Sequence, residues 1–415
     1  MVFLKAVILV GGYATRLMPL SLRIPKVMVP VAGKPGLEHL VQACKNAEIH
    51  DVVISLNSNQ KVIEEYFGDG SKWGVQITYV YEDSMSDEDK FGAIGAIEYT
   101  LKKTGMPEEC LILNGDNIFY GLDLKRLKHA HAGNKGHATL ALYTLEKKSE
   151  VELFSAVQVD EKGRIMRFQE KPKLAEAVSN LASVGIYHVG RPFLEEHLPE
   201  FIKHRKIVGK KADSPGTLWQ HFVEKAELYG HAFTGTWGDT NTPETYVDIH
   251  KASMTYLVGN ELGGDYTVTE GGKVAISPDA KISSDAIIHG PAIIDSGCEI
   301  SAGAVIGPGA HLMKGVKVGE GAAIMNSIVF RDAQIGSKAL VNDAIIDLGA
   351  SVGSGAVMEE YSILGFKAKL GTKSKMLSKT RAWPFVEIGE DTVVGGTIRL
   401  PEELFKNELA KEPLY

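Results

Sequence analysis

Cysteine is scarce in this chain. Cys44, Cys110 and Cys298 are scattered and odd in number. That set supplies neither a disulfide framework nor a cysteine zinc site, and it fits buried thiols in a reducing compartment. Long apolar runs are missing too. No stretch reaches the ~18 consecutive apolar residues of a membrane span, so none is expected. There is no excess of positive charge: 45 basic against 52 acidic residues leave a net charge of −7, which argues against a general nucleic-acid binder. Lys5 interrupts the first residues, which lead straight into a glycine loop, so a secretory leader is not expected and the cytoplasm is the expected setting. The glycines after the first apolar run form neither G-x-G-x-x-G opening a helix nor G-x-x-x-x-G-K-[ST], so neither a dinucleotide fingerprint nor a P-loop is present. The thirteen histidines show no metal-ligand spacing. His129 and His131 alternate in a lysine-rich helical segment and are expected on the surface.

What is present is the composition of a globular chain, 44% apolar and 23% charged over 415 residues. That length calls for two or three domains. The organising stretch is VILVGGYATRLMPLSLRIPK, from Val7 to Lys26. Ala6–Val10 reads as a strand buried on both faces. Gly11-Gly12 lets the backbone turn sharply and approach a ligand closely. Pro19 and Pro25 forbid a long helix directly after the glycines, so a mostly extended loop is expected. Backbone N–H groups in such a loop, with Arg16 and Lys26, suit a polyphosphate.

Further along, apolar runs at 51–56, 75–81, 110–113, 138–145 and 154–159 read as strands, with helical patterns between the earlier ones. Strands alternating with helices indicate a parallel sheet with helices on both faces. Ligands on such sheets sit beyond the carboxyl ends of the strands. Asp116, in Asn114-Gly115-Asp116-Asn117, follows such a strand. There it could hold Mg²⁺, or merely make an Asx turn. The acidic stretch Glu82–Lys90 lacks apolar spacing and reads as a solvated loop. Gly92-x-x-Gly95 opens the next helix, either as flat backbone beside a ring or as a close-packed helix start.

From Val274 the period changes. Aliphatics recur every six residues at Ile276, Ile282, Ile288, Ile294, Ile300, Ile306, Leu312, Val318 and Ile324. An accidental register of this length has odds on the order of one in a hundred thousand. Internal periodicity of this kind signals a parallel β-solenoid whose coils bury their aliphatics by stacking. The period breaks near Ser327, resumes loosely through Ile335, Val341, Ile346 and Val352, and is expected to fade near Met358. The polar tail Glu402–Lys411 is expected to pack on the solenoid or on a neighbouring subunit.

The first stretch resembles the signature of the sugar-1-phosphate nucleotidylyltransferases, roughly G-x-G-T-R-L-x-P-L-T-x-x-x-P-K. It matches from Gly12 through Thr15, Arg16, Leu17, Pro19 and Leu20 to Pro25-Lys26, with Ala14 where many members have Gly and Ser21 where many have Thr. Glu170-Lys171-Pro172 is similar to a second hallmark. Ser183-Val184-Gly185-Ile186-Tyr187 resembles N-x-G-I-Y, with Ser183 in place of Asn. Trp237-Gly238-Asp239-Thr240-Asn241-Thr242-Pro243-Glu244 resembles W-x-D-x-G-T-P-E, with Asn241 in place of Gly; Asn tolerates a left-handed backbone, so the turn can survive. The solenoid resembles the hexapeptide-repeat β-helix found in acyltransferases and at the C-terminus of many of these enzymes.

The resemblance implies a fold and an activity. The fold is α/β: a Rossmann-like nucleotidyltransferase domain, residues 1–260, followed by a left-handed parallel β-helix with a C-terminal tail, residues 261–415. The activity joins a nucleoside triphosphate to a sugar 1-phosphate, releasing pyrophosphate. Val10, Gly11, Gly12, Thr15, Glu82 and Gly92 would bind the nucleotide. Glu170, Lys171, Ser183 and Gly185 would bind the sugar phosphate. Arg16, Lys26, Asp116 and Asp239 would be catalytic, the two carboxylates holding Mg²⁺. Thymidylyl, uridylyl and guanylyl transfer are all open. The expected assembly is a homo-oligomer through the β-helix, without membrane or nucleic-acid partners. Two alternatives stand beside this reading. One is a bifunctional enzyme with acetyl transfer in the β-helix, where His289 and His311 are the histidines and are expected to face solvent. The other is a non-catalytic regulatory paralogue.

Overall fold

The computed structural model describes residues 4–12, 14–57, 60–82, 91–257, 266–269 and 273–409. The acidic stretch after Glu82, the segment around the expected boundary at 260/261 and the end of the tail lie outside them. The chain forms two compact units, residues 1–13 with 37–237, and residues 14–36 with 238–415.

In the first unit seven strands form one sheet: β1 (Leu4–Leu9), β2 (Asp51–Asn57), β3 (Gln76–Glu82), β4 (Glu109–Asn114), β5 (Ala138–Thr144), β6 (Leu181–Gly190) and β7 (Leu228–Phe233). Their order is β7-β5-β6-β4-β1-β2-β3. The β-branched and aliphatic runs that predict these strands are buried on both faces; Ala6, Val7 and Ile8 of β1 are fully buried. Helices α1 (Gly36–Asn46), α2 (Gly92–Thr104) and α3 (Leu124–Asn134) alternate with them. β1 pairs in parallel with both β2 and β4. The chain therefore runs outward from β1 to β3, then crosses back to β4. Between β1 and β4 lies the point where strand order reverses, the usual ligand crevice of an open α/β sheet. The sheet is not wholly parallel: β6 runs antiparallel to both β4 and β5.

The second unit is a β-helix. Short strands stack in register into three sheets of nine, seven and seven strands. The inward side chains, Ile294, Ile300, Ile306, Leu312, Val318 and Ile324 among them, form one continuous core. The repeat does not fade at Met358 as expected. Leu364, Leu370, Met376, Ala382 and Ile388 carry it on inside the same core, and strands continue to Ile398. The break near Ser327 has a simple cause. His311 pairs with Ile328 and Ile328 with Ile345, coils of 17 residues, whereas Ile345 pairs with Ile363, a coil of 18. One corner is a residue shorter in two coils, and the six-residue count slips there without the stack being interrupted. The tail returns to the β-helix, with Phe405 buried and its ring 6.1 Å from that of Trp383.

The signature loop, residues 14–36, belongs to this second unit. It is not extended as expected but a string of three 3₁₀ turns, Thr15–Leu17, Leu20–Leu22 and Lys26–Met28. Proline forbids a long helix yet is compatible with single turns, whose first N–H groups need no partner. Ala14 enters the first turn in the left-handed region, φ 52°, which explains why glycine suits that position in the signature. The loop and helix α4 (Pro243–Leu257) pack on the β-helix. Outward-facing Ile293, Ile328, Ile345 and Ile363 are fully buried. Lys251 of α4 reaches Asp343 at 2.6 Å, and Arg23 of the loop reaches Asp347 at 2.6 Å. His311 does not face solvent as expected. It is buried, bonded to Asp295 at 3.1 Å and stacked on His250 of α4 at 5.9 Å. Its position points out of the β-helix, but α4 covers that face. His289 is exposed.

Candidate active site

The expected site residues fall in both units, and each group is built at strand ends or turns. In the first unit the backbone of β1 ends at Val10-Gly11. Asn57 Nδ2 donates to Gly11 O at 2.7 Å, and Gln60 Nε2 donates to Val10 O at 3.1 Å. A Cβ on Gly11 would lie 3.2 Å from Asn57 Oδ1 and 3.4 Å from Glu82 Oε1. A side chain there would crowd the converging ends of β1, β2 and β3. Glu82 is buried against them, 3.5 Å from Ser55 Oγ. Asn57 and Gln60 were not anticipated. Asn57 carries a readable signal, an amide at the carboxyl end of a central strand; Gln60 carries none.

Gly115 N donates to Leu9 O at 2.9 Å, and a Cβ on Gly115 would come 2.8 Å from that oxygen. This close approach carries the half-buried Asp116 to the carboxyl end of β1. Asn117 Nδ2 donates to Val184 O at 2.7 Å, and Trp237 Nε1 donates to Asn117 Oδ1 at 3.1 Å. Gly185, at φ 75°, leaves no room for a side chain: a Cβ would stand 2.3 Å from Asn114 Nδ2. The turn carrying Asp116 is thus locked to the β6 segment carrying Ser183 and Gly185. Ser183 N donates to Ser155 Oγ at 2.8 Å.

Glu170 is half-buried and accepts from Ser214 Oγ at 2.8 Å. Burial raises its carboxyl pKa, and the Ser214 hydrogen bond opposes the rise. Its carboxylate lies where a Cβ on Gly216 would be, 1.7 Å away. Lys171 is exposed and held at φ 48°, its N–H donating to Phe154 O at 2.7 Å. A lysine in that region is uncommon, and such outliers gather at functional sites. Gly92 sits at the start of α2, where a Cβ would meet Ala212 O at 2.8 Å; the helix start is close-packed there.

In the second unit Thr15 and Arg16 are exposed on the first 3₁₀ turn. Lys26 Nζ donates to Asn241 Oδ1 at 2.7 Å, and Thr240 Oγ1 donates to Lys26 O at 3.1 Å. Asp239 is half-buried and accepts from Asn241 N at 2.9 Å, an Asx turn. The structure therefore brings Lys26 and the Asp239 turn together. Asn241 is not at positive φ; the turn is held by Asp239 instead, and the amide that replaces glycine gives Lys26 an acceptor. Asp116 and Asp239 each offer hard carboxylate oxygens at a half-buried turn, the donor type that Mg²⁺ takes.

One cluster lies away from these groups. Glu109, His131 and His188 have ligand-type atoms within 4.8 Å of one another. His131 is buried, not on the surface as expected; it bonds Thr139 Oγ1 at 3.1 Å and stacks on His188 at 4.2 Å. Burial pushes its pKa down to about 4, with His188 adding to the shift. Glu109 opens β4, the opposite end from Asp116. His129 is exposed.

Two family models match this chain. Residues 5–255 match the nucleotidyl transferase family model, and residues 288–398 match the GMPPB C-terminal domain model. A mannose-1-phosphate guanylyltransferase from Mycobacterium tuberculosis is 31% identical over 289 residues, 68% of this chain and 74% of that protein. A UTP–glucose-1-phosphate uridylyltransferase from a Synechocystis species is 27% identical over 349 residues, 83% of this chain and 87% of that protein. A Bacillus anthracis crystal structure named for glucose-1-phosphate thymidylyl transfer superposes with a TM-score of 0.54 at 22% identity, covering 63% of this chain and all of that one. Among the described residues no helix is long and apolar enough to cross a membrane.

Proposed function

Because this chain belongs to the nucleotidyl transferase family, we propose that it joins GTP to mannose 1-phosphate, giving the nucleoside-diphosphate sugar and pyrophosphate. The observation that carries the choice of base and sugar is the match of its β-helix, residues 288–398, to the GMPPB C-terminal domain. The guanylyltransferase relative supports the same choice. The functional division is residues 1–260 for the chemistry and 261–415 for the β-helix.

The sugar-phosphate oxygen attacks the α-phosphorus in line. A new O–P bond forms there while the bond to the pyrophosphate oxygen breaks. A phosphomonoester loses its second proton near a pKa of about 6, so the nucleophile is already anionic at neutral pH and no general base is required. The task is to bring two polyanions together and hold them. Val10, Gly11, Gly12 and Thr15 bind the nucleotide through backbone and hydroxyl, with Glu82 and Gly92 toward the base. Arg16 binds the triphosphate and stabilises leaving pyrophosphate, and Lys26 neutralises charge growing at the α-phosphate. Lys171 holds the sugar phosphate, while Glu170, Ser183 and Gly185 bind the sugar; a half-buried Glu170 suits hydroxyl donors. Asp116 and Asp239 would hold Mg²⁺, which supplies charge neutralisation between the two phosphates when bound.

The chain is proposed to self-associate through its β-helix. One of the three sheets presents Ile287, Leu340 and Val393 outward, all exposed, and a second copy is the expected occupant. Leu340→Glu lowers the mass measured by light scattering if it does so.

Pyrophosphate release with Mg²⁺, across GTP, UTP, dTTP, ATP and CTP against mannose, glucose, N-acetylglucosamine and galactose 1-phosphates, tests the assignment. Release confined to GTP with mannose 1-phosphate is the expected result. Release with UTP and glucose 1-phosphate instead moves the base and sugar but leaves the class. Silence throughout, with folded protein, overturns the class in favour of the regulatory or acetyl-transfer alternative.

A further inference from the structure

The turn that presents Arg16 is held from the β-helix at several points. Arg381 Nη1 donates to Arg16 O at 2.9 Å and to Met18 O at 3.2 Å. One guanidinium therefore grips the carbonyls on both sides of Leu17, which is itself fully buried. Met18 and Leu22 pack against the β-helix core. Seven residues beyond Arg16, the Arg23 guanidinium lies 2.6 Å from Asp347 Oδ1, with side chains only 3% and 2% exposed. The rings of Phe330 and Phe366, from the coils before and after that of Asp347, flank Arg23 at 5.9 and 5.8 Å. Ser21 Oγ donates to Ala14 O at 2.7 Å and closes the loop on itself.

Arg381 breaks the mostly aliphatic run of its own column, and Asp347 stands just after the strand Ile345–Ile346. Ile293, Ile328, Ile345 and Ile363 of the column that Arg381 continues are aliphatic and fully buried, with His311 a second polar residue among them. Arg381 occupies the next rung of that column, paired with Ile363. An aliphatic there would cover the loop equally well but could not hold two carbonyls. Asp347 Oδ1 accepts from Leu348 N at 2.7 Å in its own turn and from Arg23 of the loop at 2.6 Å. Both residues bond the loop, while Thr15 and Arg16 are exposed.

We propose that Arg381 and Asp347 are positioning residues for nucleotidyl transfer: they fix the turn that presents Arg16 to the triphosphate, so the β-helix is a working part of the nucleotide site. The inference rests on the role given to Arg16 above. The physical reason is preorganisation. A flexible 3₁₀ turn would have to be ordered each time the triphosphate binds, and a shift of about 1 Å at a positioning contact can cost ~100-fold in rate. Two carbonyls gripped by a fixed guanidinium and a buried ion pair seven residues away leave the turn little freedom, so its Arg16 is already in place.

The test is steady-state kinetics on the full chain with Arg381→Ala, Arg381→Lys and Asp347→Asn, varying nucleotide and sugar phosphate separately. Lys369→Ala, on the charged exposed sheet, is the control. The expected result is that Arg381→Ala raises KM for the nucleotide at least tenfold and lowers kcat, while KM for the sugar phosphate changes less than twofold. Arg381→Lys recovers most of the loss, because one ammonium can still bond a carbonyl. Asp347→Asn shifts the same parameter in the same direction, and Lys369→Ala changes nothing. Equal changes in both KM values, or kinetics unchanged in Arg381→Ala, overturn the proposal while the enzyme class stands. A purely structural role would lower the folded fraction and leave both KM values alone, which also overturns it. A wild-type chain that releases no pyrophosphate with any substrate pair removes the class itself, a distinct outcome. Should Arg381→Ala not fold, Arg381→Lys and Asp347→Asn carry the same KM comparison.

Discussion

The α/β sheet of the first unit and the β-helix of the second are both built largely from parallel strands, yet an unusual residue means different things in each. In the sheet the strand interiors are mostly apolar, and residues proposed for the site lie where strands stop: Gly11 after β1, Asn57 at the end of β2, Glu82 at the end of β3, Asp116 after β4. Position along the strand is the informative coordinate. In the β-helix every rung repeats the one below, so position within a rung is fixed and departures from the column carry the information. His311 and Arg381 are such departures, the first stacked on α4 and the second bonded to the loop.

The largest expected effect breaks the strand-end rule. Asp116→Asn, or Arg16→Ala, lowers kcat at least ~100-fold with the fold intact by circular dichroism, since each removes charge stabilisation rather than packing. Near-normal turnover in both variants contradicts the proposed roles. Next is the repeat itself. Ile324 is fully buried in the β-helix core, and Ile324→Ala should cost about 2–5 kcal/mol in denaturant unfolding, from lost transfer and the cavity left behind.

The Glu109–His131–His188 cluster sharpens the comparison from the quiet end of the sheet. His131 titrates near 4 in the fold against an ordinary 6.5. As pH falls, the unfolded chain takes up that proton first, so stability is constant above about 6.5. It then declines by about 1.4 kcal/mol per pH unit down to the folded value, for a ceiling of roughly 3 kcal/mol. Glu109, held below its usual range chiefly by the His188 hydrogen bond, loses stability in the same direction. His131→Leu should flatten the decline between pH 6.5 and 4; an unchanged slope would assign it to other groups. The smallest effect concerns the loop. Ala14 sits at φ 52°, so Ala14→Gly should raise the unfolding midpoint, by about 0.5–1 kcal/mol once the added unfolded-chain entropy is offset.

Much of this was legible in the sequence because it is local or periodic. The strand runs, the glycine turn at Gly11-Gly12 and the six-residue repeat each declare themselves within a few residues. What was not legible depends on partners distant in the chain. Nothing near His131 announces Thr139 and His188, and nothing near His311 announces that α4 covers it. Two one-residue slips, before Val329 and before Ile346, loosen the six-residue count ahead of Met358, although the count runs unbroken from Ile346 to Ile388; the stacking that maintains the core is a relation between rungs 17 or 18 residues apart. The loop 14–36 was read as extended from its prolines, although single 3₁₀ turns meet the same constraint. That Arg23 and Arg381 anchor it could only come from the fold, since their partners lie hundreds of residues away.

The central claim is that a sugar-phosphate oxygen displaces pyrophosphate directly from the α-phosphorus. Mannose 1-phosphate labelled with heavy oxygen in its phosphate, turned over with GTP and followed by phosphorus NMR, tests it most directly. The account predicts that all of the label appears in the nucleoside-diphosphate sugar and none in the released pyrophosphate. Label in pyrophosphate or free phosphate, or no nucleotide-sugar formed at all, would contradict it.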